Sequence, residues 1–240
     1  MKKILFLGFG HLGQFFLQQN KSNVIIATKR GSHQDSACSL VQYSLGEDWS
    51  YSKEFDVIII SFPAMEDYSH KLQKLLGDLK PLKHVIFISS TSVFRSGRIE
   101  ESSEKNGITK NAEELIKCER IIEKLENYVI VRPGGLIDSI RHPKDFSKKM
   151  VKVTKSQTNV NLVHTLDVAA FLHHTIDQNI TNEDYNLVCS DHPSKEEFYR
   201  RFNPEIEFES KDSELRIISN SKSKNTGFKY QFDNLDWCWN

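Results

Sequence analysis

The chain has 240 residues, 38% of them hydrophobic, and its 32 basic and 32 acidic side chains cancel to no formal net charge. A globule of this length removes roughly 70 to 75% of its unfolded surface from water, so a sizeable core is available, and a balanced charge without long single-sign blocks excludes nucleic acid as the expected partner. The longest apolar runs, such as 57–60 and 85–88, are strand-sized and far short of the ~20 residues a membrane helix needs, so no membrane association is expected.

No small-residue cleavage site follows a signal-like apolar stretch after Met1, and the expected location is the cytoplasm. Cys38, Cys118, Cys189 and Cys238 are scattered, with no C-x-x-C pair and no His cluster at zinc spacing. Reduced thiols and no metal are expected.

In chain order, apolar strand-length runs alternate with helical patterns. A strand over 4–7 leads to a helix over about 11–20, a strand over 24–27 and a polar stretch. A strand over 56–61 passes through Phe62 and Pro63 to a helix over 68–79. A strand over 84–89, a long irregular loop and a helix over about 112–125 follow, and a strand over 128–132 stops at Pro133. Continuous apolar strands separated by helices predict a parallel sheet covered on both faces, an α/β doubly wound fold of the Rossmann kind. Beyond Pro133 come a turn-rich basic piece over 134–155, a short strand over 161–164, a helix over 167–177, a strand over 185–189, a helix near 194–202 and an aromatic end. The expected organisation is a core over 1–190 and a small C-terminal substrate-side cap over 191–240.

The stretch KKILFLGFGHLGQFFLQQN, residues 2–20, sets Gly8, Gly10 and Gly13 at G-x-G-x-x-G spacing between the first strand and the first helix. The first glycine permits a tight turn, the second lets backbone approach a pyrophosphate, and the third lets helix pack close to strand. Peptide N–H groups of this loop, with His11 and Leu12 among them, and the positive end of the helix then face the phosphates. A dinucleotide is expected, against a glycine turn kept only for packing. An acid at the end of strand two would bond the ribose 2′-hydroxyl, but the strand ends Ala27-Thr28-Lys29-Arg30 and the nearest acid is Asp35. Two cations beside a hydroxyl suit a 2′-phosphate, so NADP is expected ahead of NAD. The plain alternative is a solvated loop.

The stretch HVIFISSTSVFRSG, residues 84–97, places Ser90, Thr91 and Ser92 at the carboxyl end of a parallel strand, the edge where ligands bind in open α/β sheets. Such hydroxyls can polarise a substrate oxygen, or simply satisfy backbone groups at the strand end. Pro63 either shapes the loop over the cofactor or is a turn proline.

These segments resemble the extended short-chain dehydrogenase/reductase superfamily, whose matching strand commonly ends S-S-x-x-V-Y-G; in that register Ser90 takes the place of the catalytic Ser or Thr, and Phe94 stands where Tyr is usual. VIVRPGGLID (129–138) is similar to the L-R-x-x-x-[IV]-Y-G-P segment, which implies that Pro133 lies near the nicotinamide. NLVHTLDVAAFL (161–172) is similar to x-[IV]-H-V-x-D-[VL]-A, and DYNLVCSDHPSKEEFYRRF (184–202) resembles the substrate-side tail. The glycine spacing, in place of G-x-x-G-x-x-G, resembles an atypical subgroup related to NAD-dependent epimerases and dehydratases.

Redox members of the superfamily use Y-x-x-x-K, the phenol shuttling the proton and the ammonium lowering its pKa. With Glu119 as the acid that follows the motif, Asn111 falls at the Tyr position and Leu115 at the Lys position, and neither transfers a proton near neutral pH. A register shifted by two offers Glu113 and Lys117, as base and ribose anchor or as an ordinary exposed i,i+4 pair. His164, whose imidazole is expected to titrate near neutral pH, is the substitute catalytic candidate. It also joins His142 and Ser92 as a substrate contact, against the reading of these histidines as surface or capping residues. The resemblance implies an NADP(H)-binding oxidoreductase or epimerase acting on a small polar, sugar-like substrate, paired as a homodimer through helices 68–79 and 112–125. The alternative is a catalytically impaired NADP(H) sensor acting through a protein partner.

Overall fold

The structure, a computed structural model, describes residues 1–31, 38–51 and 53–239. The chain runs β1 (Lys3–Leu7), α1 (His11–Gln18), β2 (Val24–Lys29), β3 (Ser39–Gln42), β4 (Val57–Ile60), α2 (Tyr68–Asp78) and β5 (Val85–Ile88), followed by a 3-10 turn (Thr91–Val93). Then come β6 (Gly97–Ile99), α3 (Lys110–Ile122), β7 (Tyr128–Pro133), β8 (Gly135–Ile137), α4 (Pro143–Ser147), β9 (Lys152–Thr154), β10 (Leu162–His164) and α5 (Thr165–Asp177). The last elements are β11 (Glu183–Leu187), α6 (Lys195–Arg200), β12 (Glu207–Glu209), β13 (Arg216–Ile218) and α7 (Ser221–Asn225).

Seven strands form one sheet in the order β11-β7-β5-β4-β1-β2-β3. β1 pairs in parallel with β2 on one side and β4 on the other, so Leu7 sits beside Ile60 while Phe6 sits beside Ala27. The strand order reverses there, and such a switch point opens a crevice at the carboxyl ends of the strands. Every residue of β4 and β5 is buried, as a parallel sheet with both faces covered requires. The expected doubly wound fold is present.

Two compact units share the chain. The first comprises Met1–Val93, Gly107–Arg132 and Ala169–Asp184; the second comprises Phe94–Asn106, Pro133–Val168 and Tyr185–Asn240. They are interleaved, where a single cut at residue 190 was expected. The second unit holds three two-stranded parallel pairs, β8 with β10, β9 with β12 and β6 with β13. Each of those six strands has only three residues, too few to carry a period. β3 likewise lies in what read as a polar stretch, because Ser39-Leu-Val-Gln42 is a half-buried edge strand with two apolar residues.

α3 begins at Thr109, whose side chain accepts from the Ala112 N–H at 3.1 Å, a standard N-cap. It buries Ala112, Leu115, Ile116, Cys118 and Ile122, and with them the charged Glu119. Glu119 receives Arg132 of β7 in bidentate fashion, at 2.8 Å from Nε and 2.9 Å from Nη2, and the Ser89 hydroxyl donates to it at 2.6 Å. Arg132 Nη2 also reaches Asp184 of β11 at 2.7 Å. Burial alone would push this guanidinium down, but Glu119 and Asp184 more than offset that and hold it above its ordinary value. One ion network thus ties α3 to three strands.

Removing one partner strands a charge in the interior. Glu119→Ala should lower stability by about 3–5 kcal/mol in urea denaturation, whereas Lys117→Ala, which breaks the Lys117–Glu114 pair from its exposed side, should cost about 0–1 kcal/mol.

Candidate functional site

The first unit's candidate site starts where β1 ends. Gly8 has φ +79°, and a Cβ there would lie 2.7 Å from the Ser61 carbonyl oxygen, so both dihedral and space demand glycine. The turn is fastened to one buried residue of β2: the Gly8 N–H donates to Thr28 Oγ1 at 3.0 Å and the Phe9 N–H to the Thr28 carbonyl at 2.9 Å. Thr28, expected as a cofactor contact, therefore acts under the loop. Gly10 begins α1 with no side-chain cap, and the first turn carries no acid. A Cβ at Gly10 would meet nothing nearer than the Gly8 carbonyl at 3.9 Å, so the outside of the loop is open where a phosphate would approach. A Cβ at Gly13 would come within 2.6 Å of the Phe9 ring and 3.2 Å of Phe6, the close helix-to-strand packing expected of the third glycine.

Leu12 is buried, which leaves its peptide group as what it can present, and the half-buried His11 sets its ring edge-on to Phe15 at 5.1 Å. Lys29 Nζ lies 5.5 Å from the centre of the Phe9 ring, a cation–π contact that keeps this ammonium against the glycine loop. Arg30 is exposed, and Asp35 lies outside the described residues. Pro63 is exposed in the segment after β4.

At the end of β5, Ser90 Oγ accepts from the Ser92 N–H at 3.1 Å. That contact caps the 3-10 turn and leaves the hydroxyl proton to be donated elsewhere. Thr91 is buried and Ser92 half-buried. On α3, Asn111 is exposed and Leu115 buried, and Lys117 pairs with Glu114 at 2.6 Å while Glu113 is exposed. The proposed Glu113–Lys117 couple is thus diverted into an ordinary i,i+3 ion pair.

Pro133 is buried at the end of β7. In the second unit, His164 is buried at the end of β10 and stacks on Phe232 at 3.8 Å, with Trp237 edge-on at 4.8 Å. Its Nδ1 accepts from the Leu166 N–H at 3.1 Å. Burial pushes the imidazole down to about 4, against the opposing pull of Asp138. This corrects the expectation of titration near neutrality, since an apolar, aromatic surround penalises the charged ring. His142 caps α4, its Nδ1 accepting from the Lys144 N–H at 3.2 Å, and its ring edge meets Phe202 at 6.0 Å and Trp237 at 5.9 Å. The structure therefore brings both His142 and His164 against Trp237, a residue that the sequence did not single out.

Two further residues were missed. Buried Asp138 accepts from the Ile140 and Arg141 N–H groups at 2.9 and 3.0 Å and from the Thr165 hydroxyl. Buried Asp167, at the start of α5, accepts from the Gln231 and Phe232 N–H groups at 2.7 and 2.9 Å and so anchors the C-terminal segment. The available signal was the stretch NLVHTLDVAAFL, in which Asp167 follows His164 by three residues as in the resembling x-[IV]-H-V-x-D-[VL]-A pattern.

No protein-family model matches the sequence. The chain is 24% identical over 273 aligned residues to Protein YeeZ of Escherichia coli K12, covering 97% of each protein. Among solved structures, dTDP-glucose 4,6-dehydratase from Bacillus anthracis, in complex with NAD, superposes with a TM-score of 0.80 at 13% identity, over 100% of this chain and 94% of that one. Human epimerase family protein SDR39U1, with NADPH, gives 0.73 at 14% identity over 99% and 97%. UDP-N-acetylglucosamine 4-epimerase from Bacillus cereus gives 0.78 at 14% over 100% and 94%. The fold is that of the extended short-chain dehydrogenase/reductases. Within this dehydrogenase/reductase fold the helix face that the sequence aligned with Tyr and Lys carries Asn111 and Leu115. Among the described residues, no helix is long and apolar enough to cross a membrane, and no group of three His, Cys, Asp or Glu is arranged to hold a metal ion.

The neutral state of His164 has a measurable consequence. Its folded value of about 4 lies below the 6.5 of an unfolded imidazole, so the unfolded chain takes up the proton first as pH falls. This residue therefore costs no stability above pH 6.5 and progressively more between 6.5 and 4. Its ring resonances should titrate near 4, and the melting temperature of His164→Phe should fall less steeply across that interval than that of the parent.

Proposed function

We propose that the glycine loop of this protein binds NADP(H) and that the protein is an oxidoreductase or epimerase acting on a small polar, sugar-like substrate. The single observation behind this reading is the loop itself, in which Gly8 can carry no side chain and Gly10 leaves the start of α1 open. The peptide N–H groups from His11 to Gly13 would receive the pyrophosphate, which needs donors and tolerates no Cβ in the way. Lys29, held against Phe9, and Arg30 beside it would receive the 2′-phosphate. Solved neighbours in complex with NAD and with NADPH support a nicotinamide dinucleotide here. When bound, such a cofactor supplies the hydride donor or acceptor.

For the chemistry, the Ser90 hydroxyl is the group with a proton to offer to a substrate oxygen, its lone pair being engaged by Ser92. Thr91 shares that strand end, Pro133 would border the nicotinamide by resemblance, and His142 and His164 would line the substrate side. His164, neutral at pH 7, could donate a hydrogen bond to a substrate but would be a weak base.

A second reading has its own support. An exposed Asn111 and a buried Leu115 replace the usual proton shuttle, and loss of a general acid or base typically lowers the rate by ~10² to 10⁴. The protein would then bind the dinucleotide with little turnover and report its state through a partner.

Titrating the purified protein with NADPH and with NADH, followed by nicotinamide fluorescence, should show at least about tenfold tighter binding of NADPH, a difference worth ~1.4 kcal/mol. Lys29→Ala together with Arg30→Ala should bring the two affinities together. Gly10→Ala should melt like the parent, because its methyl enters open space, yet bind both cofactors more weakly. Equal and negligible responses to NADPH and NADH in the parent would remove the cofactor claim. On a substrate panel, turnover lost in Ser90→Ala supports the enzyme, and a silent parent that binds NADPH supports the sensor.

A further inference from the structure

The amino edge of the same sheet, opposite the glycine loop, carries an unassigned feature. Lys2, Asp56, His84 and Asn127 each immediately precede a strand, β1, β4, β5 and β7 in turn, and together they line a cleft of about 460 Å³. Asn179 and Thr181, from the turn between α5 and β11, complete its wall. That volume lies within the range of small-molecule sites. All of these residues belong to the first unit.

Charge decides what the cleft would take. Lys83 on its rim is answered by two carboxylates, Asp56 at 3.3 Å and Glu54 at 3.6 Å. Asp56 is fully committed, its other oxygen accepting the Lys3 N–H at 2.9 Å. Lys2 differs: its half-buried ammonium donates to the Ile176 carbonyl at 2.8 Å and to Asn179 Oδ1 at 2.7 Å, both neutral, and among the described residues no carboxylate pairs with it. Those two bonds fix the side chain in place and leave one N–H and a whole positive charge uncompensated. Beside it, His84 is only 8% exposed and its Nε2 has no hydrogen-bond partner, a costly condition for a buried polar atom. An anion in the cleft would answer the charge left on Lys2, with the buried His84 close behind it.

We propose that this cleft binds a small oxyanion-bearing molecule, a carboxylate or a phosphate monoester, held by Lys2 with Asn127 and Thr181 as neutral partners and His84 at its inner wall. The ligand would occupy the edge of the sheet remote from the glycine loop, so the proposal does not depend on the dinucleotide reading.

A secondary effect follows at His84, whose imidazole is pushed down to about 4, first by burial and then by the Lys2 charge. An anion on Lys2 cancels the second of these causes, so occupancy should raise the midpoint of His84.

The test is an NMR titration of the full chain, without dinucleotide, with inorganic phosphate and separately with citrate, the ionic strength being held constant with NaCl. Saturable shifts of the His84 ring resonances and an upward move of their titration midpoint are expected, with at least tenfold weaker binding in Lys2→Gln. Saturation by phosphate alone identifies a phosphate ligand, and saturation by citrate alone a carboxylate; both support the site. Lys83→Gln, which removes an exposed side chain, provides a folded comparison if Lys2→Gln melts early, and it should weaken binding less than twofold or threefold because its charge is already answered. Shifts that follow NaCl as closely as phosphate and citrate, or undiminished saturation in a folded Lys2→Gln, would overturn the proposal.

Discussion

The turn from β1 into α1 is held by one residue of the neighbouring strand. Thr28 receives the Gly8 N–H on its hydroxyl and the Phe9 N–H on its carbonyl, so the parallel register that sets Phe6 beside Ala27 also sets where the loop turns. With Gly8 confined to positive φ and pressed against Ser61, the chain has one way to leave the sheet. The direction of α1, the open face at Gly10 and the packing of Gly13 on Phe9 then follow from that single exit. A hydroxyl below the loop also satisfies a peptide group that would otherwise be buried without a partner.

The helix that the resemblance aligns with a proton-transferring Tyr and Lys is built for a different use. Asn111, Leu115 and Glu119 stand four residues apart and so share a face of α3. Progressing along that face, exposure gives way to complete burial, and the charge sits at the buried end, locked to Arg132 and Ser89. A lysine at position 115 would have to occupy the apolar packing that Leu115 now fills. Its ammonium would be desolvated there. The present arrangement favours anchoring over proton transfer, and the two demands compete for the same surface.

Legibility followed apolar length and glycine geometry. The runs at 57–60 and 85–88 announced a sheet buried on both faces, and three glycines between strand and helix announced the loop, two of which, Gly8 and Gly13, sit where a side chain would collide with its neighbours. β3 and, apart from β10, the three-residue strands were invisible, since their pairing is decided by partners far along the chain: Arg216–Ile218 lies against Gly97–Ile99. The neighbours of a side chain were equally hidden. Nothing local in the sequence places Trp237 against His142 and His164, or Gln231 and Phe232 on Asp167. Interleaved units have the same origin, because strands and helices distant in sequence complete each core.

The two candidate histidines show how a backbone contact narrows what an imidazole can do. In both, Nδ1 accepts from the N–H two residues on, Lys144 for His142 and Leu166 for His164, the geometry by which Asn and Asp cap helices and turns. An accepting Nδ1 places the ring proton on Nε2, a tautomer assigned from the hydrogen bonds. Such a ring can donate from Nε2 to a ligand oxygen. Protonating it would turn Nδ1 into a donor facing another donor, breaking the local turn. For His164 the stacked Phe232 and the edge of Trp237 add a desolvation cost. For His164 the hydrogen bond and the aromatic surround together favour a neutral ring that donates from Nε2 over one that takes up a proton.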